Sequence, residues 1–130
     1  MSRLDINKTY KLFIAGAFPR SESGRVYEIK GANKKFIANP AMASRKDLRD
    51  SVVAAKAAQS GWANATAFNR GQILYRIAEI MQGRSEQFVD EICALEGVSN
   101  KAAKIQVAEA IDTWVWYSGW CDKFSSVTGS

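Results

Sequence analysis

The sequence predicts an α+β fold in which an N-terminal β-hairpin and short strands are followed by about four α-helices. Its 130 residues are 47% hydrophobic and 24% charged, a balance typical of a globular domain. Short β-prone runs separated by turn residues fill positions 1–43, whereas helical periodicity dominates 44–130. We therefore interpret 1–43 as a β-hairpin and connecting strand segment, and 44–130 as a helical segment of the same incomplete domain.

The N-terminal strands are short. Residues 10–14 form the first β-prone run, 25–29 alternate as a second strand should, and 35–38 form a third. Gly16 and the Ser-Glu-Ser-Gly sequence at 21–24 provide the turns between them. Because so few short strands bury little apolar surface, we expect them to need support from other parts of the protein.

The first helix begins at a recognisable cap. Ser44 and Asp47 have the spacing of a capping box, with Asp in place of the usual Glu or Gln. The helix from Arg45 is expected to end before Gly61, which would be its C′ residue. Leu48, Val52, Ala55 and Gln59 fall on one stripe of this helix.

Two further helices have an apolar face of helical spacing. The second, at about 69–82, ends at Gly83, and its apolar residues are Ile73, Leu74, Ile77 and Met81. The third, at about 85–95, precedes Gly97, and its apolar residues are Phe88, Val89, Ile92 and Cys93.

The fourth helix, at about 100–124, is apolar on more than one side. Trp116, Trp120 and Phe124 are four apart and line one face, while another flank carries Ile105, Ile111, Trp114, Val115, Tyr117 and Cys121. Three shorter helices cannot cover a rod of about 37 Å completely. We therefore expect the aromatic face to contact another domain or subunit, and the polar residues 125–130 to act as a linker to it.

Most catalytic chemistry has no residues to support it here. The chain contains no histidine, which excludes Ser-His-Asp triads, Cys-His pairs and histidine-based metal sites. No two of its nine glycines are close enough for a dinucleotide-binding turn or a P-loop. We assign no catalytic, cofactor-binding or metal-binding residue.

The remaining candidates are better explained by packing or solvation. Cys93 and Cys121 lie late in their helices, where the helix dipole disfavours a thiolate, so we interpret both as core residues. Glu86 and Asp90 share a helix face with Glu91 nearby; a cation site is the alternative to a solvated acidic face. Glu109 and Asp112 are interpreted as a polar seam.

The charge and cysteine content of the chain limit its expected cellular location and partners. Up to residue 50 there are eleven Lys/Arg and five Asp/Glu, so nucleic acid, an anionic membrane or an acidic protein surface is an alternative partner for this part of the chain. No basic-aromatic RNA-binding pattern or zinc-finger spacing accompanies it, and we favour solvated charge. With two cysteines, and no signal-peptide core after the opening residues 1–5, we predict a cytoplasmic protein without a membrane anchor.

A series of phrases, in order along the chain, resembles the N-terminal portion of the aldehyde dehydrogenase superfamily. They are Leu12-Phe13-Ile14-Ala15-Gly16, Glu22-Ser23-Gly24-Arg25, Gly61-Trp62, Arg70 with Leu74-Tyr75-Arg76, Ala94-Leu95-Glu96-Gly97 and Trp116-Tyr117-Ser118-Gly119-Trp120-Cys121-Asp122-Lys123. The last phrase is similar to the family's aromatic-aromatic-Ala-Gly-Trp-Ala-Asp-Lys signature. The resemblance would place the helical segment 44–130 in the coenzyme-binding domain.

The resemblance implies an NAD(P)-dependent oxidoreductase that converts aldehydes to carboxylic acids through a cysteine nucleophile and a glutamate base. In family members those residues lie downstream, so this chain alone is expected to bind no NAD or NADP and to be inactive. The implied partners are the remainder of the subunit or another subunit of a homo-oligomer, contacted through Trp116, Trp120 and Phe124. Family members sometimes form a monovalent cation site near the end of the third helix, and Glu96 is the one candidate ligand for it in this chain. The alternative function is a non-catalytic helical protein-interaction module derived from that family.

Overall fold

The computed structural model describes residues 8–129, which form a small sheet followed by five helices. Two compact units, Met1–Ser60 and Gly61–Ser130, divide within the first helix. The predicted α+β class is confirmed. The opening residues 1–5, and Ser130 at the end of the predicted linker, lie outside the described residues.

The sheet has three strands in the order β1-β3-β2. β3 (Phe36–Pro40) is central, parallel to β1 (Lys8–Tyr10) and antiparallel to β2 (Ile29–Lys30). The predicted third strand is confirmed, but the predicted strands at 10–14 and 25–29 are wrong in extent. Of those runs, Tyr10 belongs to β1 and Ile29 to β2, while Val26 forms only an isolated bridge with Ala41.

The chain between β1 and β2 forms a tight hairpin instead. The N–H groups of Ile14 and Ala17 each donate to the other residue's carbonyl at 3.0 Å. Between them, Ala15 and Gly16 have φ values of 53° and 76°, the left-handed pair that a two-residue hairpin turn requires. A left-handed alanine is uncommon, and sequence patterns therefore favoured a longer strand here.

Asp47 joins the predicted turn at 21–24 to the start of α1 (Arg45–Asn64). Its carboxylate accepts from the Ser44 N–H at 2.8 Å, and its own N–H donates to the Ser44 hydroxyl at 3.2 Å, which confirms the capping box. The Ser21 hydroxyl donates to the same carboxylate at 2.6 Å, and the Glu22 N–H at 3.4 Å. Donation from Ser21, then from Ser44, lowers the Asp47 pKa to about 2.

This depressed pKa predicts an acid-sensitive contribution to stability. Because the folded state holds Asp47 ionised more strongly than the unfolded chain does, its contribution is fully present above the ordinary pKa of 3.8 and is lost as pH falls towards 2. Asp47→Asn should therefore flatten the acid limb of the unfolding midpoint measured in urea between pH 5 and pH 2. Asp50→Asn is the control on the same helix: its carboxylate is half-buried and pairs with Lys46 at 3.1 Å, so its replacement should change that limb less than Asp47→Asn does. Equal curves for the wild type and Asp47→Asn would contradict the assignment.

The first helix runs beyond its predicted end. Gly61 lies inside α1, which continues to Asn64, so its prediction as the C′ residue is wrong. The last turn is held by Arg70, whose Nη1 donates to the carbonyls of Ala63 at 3.1 Å and Ala65 at 2.7 Å. Such a side-chain cap comes from another helix and has no local sequence signature. The predicted stripe at Leu48 and Val52 is on the helix, but these side chains are exposed.

The remaining helices follow the predicted pattern, with shifted ends. α2 (Ala67–Gly83) is capped by the Thr66 hydroxyl, α3 (Ser85–Glu96) ends at the left-handed Gly97, and α4 (Asn100–Trp120) is capped by Ser99. α4 ends four residues earlier than predicted. Part of the predicted linker forms the short helix α5 (Phe124–Thr128). Within residues 8–129, no helix is both long and apolar enough to cross a bilayer.

A small core joins α3 to α4. Val89, Ala103 and Val107 are buried, with five partly buried neighbours around them: Phe88, Ile92, Cys93, Val98 and Ile111. The predicted apolar face of α3 is thereby confirmed. On α4 the buried residues are the small Ala103 and Val107, which were not predicted, whereas Ile105, predicted on the apolar flank, is half exposed.

Candidate docking surface

The predicted aromatic face of α4 forms the wall of an apolar groove. Trp116 and Trp120 lie one turn apart with ring centroids 5.2 Å from each other, and Tyr117 meets Trp116 edge to face at 4.9 Å. With a residue of α5 and two of α2, they enclose about 540 Å³. We call this the aromatic groove; its lining is Arg70, Leu74, Trp116, Tyr117, Trp120, Cys121 and Phe124.

The described chain covers the side chains of the aromatic groove only in part. Trp116 is 57% exposed and Phe124 is 64% exposed. Across the unit from residue 61 onward, twelve large apolar side chains are exposed, while the buried apolar residues are only Ala78, Val89, Ala103 and Val107. Three of the twelve, Trp116, Tyr117 and Phe124, line the aromatic groove, and a cluster of exposed aromatic side chains of this kind is typical of an interface. The groove is therefore the candidate functional site.

A close approach of α2 and α4 positions the groove. A Cβ atom on Gly71 would lie 2.9 Å from the backbone oxygen of Ser118 and 3.6 Å from Cβ of Cys121. The two helices pass at this point because Gly71 has no side chain. The neighbouring Arg70 is thereby brought to the wall that carries Trp116 and Trp120. A glycine inside a helical pattern is the sequence signal that could have indicated this contact.

Gly71→Ala is expected to lower the free energy of unfolding by about 1–2 kcal/mol, since the clash with backbone at Ser118 outweighs the better helix propensity of alanine. Gly119→Ala is the matched control, because nothing lies within 4 Å of its Cβ position; we expect it to stabilise by up to about 1 kcal/mol. Urea unfolding of both variants measures the difference. If Gly71→Ala is as stable as Gly119→Ala, the close approach does not exist in solution.

The residues weighed for chemistry do not come together as a reactive site. Cys93 packs against the α3–α4 core, and Cys121 lines the aromatic groove, with its thiol directed to the Tyr117 carbonyl at 3.6 Å. Both are free thiols. Among the described side chains, no base and no cationic group forms a hydrogen bond with either sulfur atom.

The acidic residues are likewise separated. Glu86 and Asp90 line one polar groove of about 560 Å³ together with Lys104 of α4. Glu91 instead accepts from the Gln87 amide at 3.1 Å, and Glu96 is exposed at the end of α3. On the exposed face of α4, Glu109 and Asp112 remain in solvent. Among residues 8–129, no group of three or more Cys, Asp or Glu side chains is placed to hold a metal ion.

The sequence profile of the aldehyde dehydrogenase family matches residues 18–129. The chain belongs to this family, and it corresponds to the N-terminal portion of the family subunit. Solved family members share the fold. An NAD-dependent aldehyde dehydrogenase from Sinorhizobium meliloti superposes with a TM-score of 0.83 at 19% identity, over 88% of this chain and 24% of that one. A betaine aldehyde dehydrogenase from Staphylococcus aureus, determined with NAD+, gives 0.84 at 20% identity, over 88% and 24%.

Curated relatives are also much longer than the chain. The mouse cytosolic 10-formyltetrahydrofolate dehydrogenase is 32% identical over 136 aligned positions, which cover 98% of this chain and 15% of the relative. An aldehyde dehydrogenase from Emericella nidulans is 33% identical over 123 positions, covering 90% of this chain and 24% of the relative. The chain thus spans between about a seventh and a quarter of these relatives.

Proposed function

We propose that this chain is the N-terminal scaffold segment of an NAD(P)-dependent aldehyde dehydrogenase-like oxidoreductase, and that it supplies a docking surface instead of catalytic groups. In the complete subunit, the aldehyde would be oxidised to a carboxylic acid, with NAD or NADP bound by residues outside this chain. The observation that carries the proposal is the exposed aromatic groove on a member of this family. Its occupant would be the remainder of the subunit or a second subunit of a cytoplasmic homo-oligomer.

Physical reasoning supports a scaffold role. The weighed cysteines and carboxylates are dispersed, whereas three exposed aromatic side chains, Trp116, Tyr117 and Phe124, line one groove. Covering that groove would bury several aromatic rings, each contributing roughly 25 cal/mol for every Å² removed from water. The residues of this surface are therefore suited to binding another polypeptide segment and not to catalysis.

Complementation in trans tests the proposal. The Emericella nidulans aldehyde dehydrogenase, lacking the segment matched by this chain, would be co-expressed with this chain. We expect the two polypeptides to co-purify and to produce NADH from acetaldehyde and NAD+, while either polypeptide alone produces none. Calorimetry on the isolated chain should detect no NAD+ binding. NAD+ binding or aldehyde turnover by the isolated chain would overturn the assignment of chemistry to other residues.

A second candidate function is a self-sufficient helical interaction module. The helical unit favours it by holding its own small core at Val89, Ala103 and Val107, with helix caps at Thr66 and Ser99. A module would melt cooperatively and bind no dye that reports exposed apolar clusters. The scaffold segment would bind such a dye, 8-anilinonaphthalene-1-sulfonate, and would lose this binding when the complementing polypeptide is added.

A further inference from the structure

Arg70 is the one charged residue that lines the aromatic groove, and its charge is not balanced by the described chain. Its Nη1 donates to three carbonyl oxygens near the end of α1, those of Trp62, Ala63 and Ala65, at 3.5, 3.1 and 2.7 Å. Within residues 8–129, none of the ion pairs involves Arg70, and Nε and Nη2 have no hydrogen-bond acceptor. The guanidinium is already partly buried.

This arrangement restricts what can cover the groove. An arginine cannot lose its proton in a protein, so a segment that packs on Trp116 and Phe124 would also remove water from a charged group with free donors. Burying such a charge without an anionic partner is costly, and the carbonyls at the end of α1 supply only the partial negative charge of a helix C-terminus. A carboxylate is the protein group that does both, because its two oxygens match the two nitrogens of the guanidinium that remain available.

We infer that the segment covering the aromatic groove carries a carboxylate side chain flanked by aliphatic or aromatic residues. The carboxylate pairs with Nε and Nη2 of Arg70, and the flanking side chains pack on Leu74, Trp116 and Phe124. This inference rests on the proposed function for its occupant, a polypeptide segment from the remainder of the dehydrogenase subunit. The charge complementarity itself depends only on the groove.

Matched peptide probes test this chemistry on the full chain. The capped tripeptides Ac-Leu-Glu-Phe-NH2 and Ac-Leu-Gln-Phe-NH2 differ in one charge, and octanoate represents a free fatty acid. Binding is followed through the indole N–H resonances of Trp116 and Trp120 in two-dimensional NMR spectra. We expect the Glu peptide to bind about fivefold more tightly than the Gln peptide at low salt. Equal affinities, no binding by either peptide, or binding by octanoate alone would overturn the inference.

Two variants assign the effect to the two parts of the groove. Arg70→Met should abolish the preference for the Glu peptide, while Arg70→Lys should retain part of it. If Arg70→Met loses its fold along with the cap on α1, the double variant Trp116→Ser with Phe124→Ser still decides, because it leaves Arg70 in place and should bind neither peptide. A Glu preference that survives Arg70→Met in a folded chain would place the carboxylate elsewhere and contradict the inference.

The outcome is separable from that of the proposed function. If complementation fails but the Glu preference depends on Arg70, the inferred carboxylate pairing is supported. The remainder of the dehydrogenase subunit is then excluded as the occupant of the groove. Successful complementation without a Glu preference would leave the scaffold role standing and would remove the carboxylate.

Discussion

Ala103→Asp is expected to unfold the helical unit Gly61–Ser130. Ala103 is 0% exposed and lies among Val89 and Val107 in the core between α3 and α4. A carboxylate there would have no room for water, and burying an unpaired charge costs roughly 3 kcal/mol or more. A unit of this size has a total stability of only about 4–10 kcal/mol, so this loss removes much of it. Far-ultraviolet circular dichroism during urea unfolding measures the change.

The control for this prediction lies five residues further along the same helix. Ala108 is exposed, so Ala108→Asp adds the same charge to α4 without burying it. We expect it to cost less than about 1 kcal/mol, which is the lower helix propensity of aspartate. Similar unfolding midpoints for the Ala103→Asp and Ala108→Asp variants would mean that α3 and α4 do not enclose Ala103 in solution.

Phe124→Ala is expected to weaken complementation about 30-fold or more, with little change in the stability of the isolated chain. Phe124 is 64% exposed and gains little from folding of this chain, but it would be buried when the aromatic groove is covered. Aromatic side chains at the centre of an interface commonly contribute 2 kcal/mol or more to binding. The measurement is the concentration of chain required for half-maximal NADH production with the complementing polypeptide.

Phe68→Ala provides a closely matched control for this loss. Phe68 is 66% exposed, nearly the same as Phe124, but it lies at the N-terminal end of α2 and outside the aromatic groove. We expect its replacement to reduce complementation by less than about fivefold. Equal losses for the two variants would indicate that exposure anywhere on this surface matters, and that the aromatic groove has no special role.

Both predictions follow from an uneven distribution of apolar residues. The fully buried residues of the helical unit are Ala and Val, whereas most of its aromatic side chains are exposed. Aromatic side chains bury the most apolar area per residue, and here they are available to contact another domain or subunit. This distribution is the physical basis for the proposed scaffold role.

Much of the local structure was predictable. The Ser44–Asp47 capping box, the left-handed Gly97 and the apolar face of α3 each depend on residues close together in sequence, and all are confirmed. The family resemblance was also readable, because its phrases occur in order over most of the chain. The exposed aromatic face followed from spacing alone, since Trp116, Trp120 and Phe124 recur every four residues.

The errors arose where distant residues decide the outcome. α1 extends through Gly61 because Arg70 caps its carbonyls, and the predicted first strand gives way to a hairpin at Ala15 and Gly16. At the end of α1 a contact from a distant residue overrides local helix propensity, and at the hairpin an uncommon backbone conformation overrides local strand propensity.

The sequence by itself determined the class of fold, the capping box that begins α1 and the aromatic stripe, because each depends on a short-range pattern of spacing and hydrogen-bonding side chains. Only the tertiary structure decided that α2 and α4 meet at Gly71, that Ala103 is the most buried core residue, and that Arg70 joins the aromatic groove without a carboxylate partner. These features depend on which helix faces come within a few ångströms of each other. Packing between helices sets that distance, and the order of residues along one helix does not.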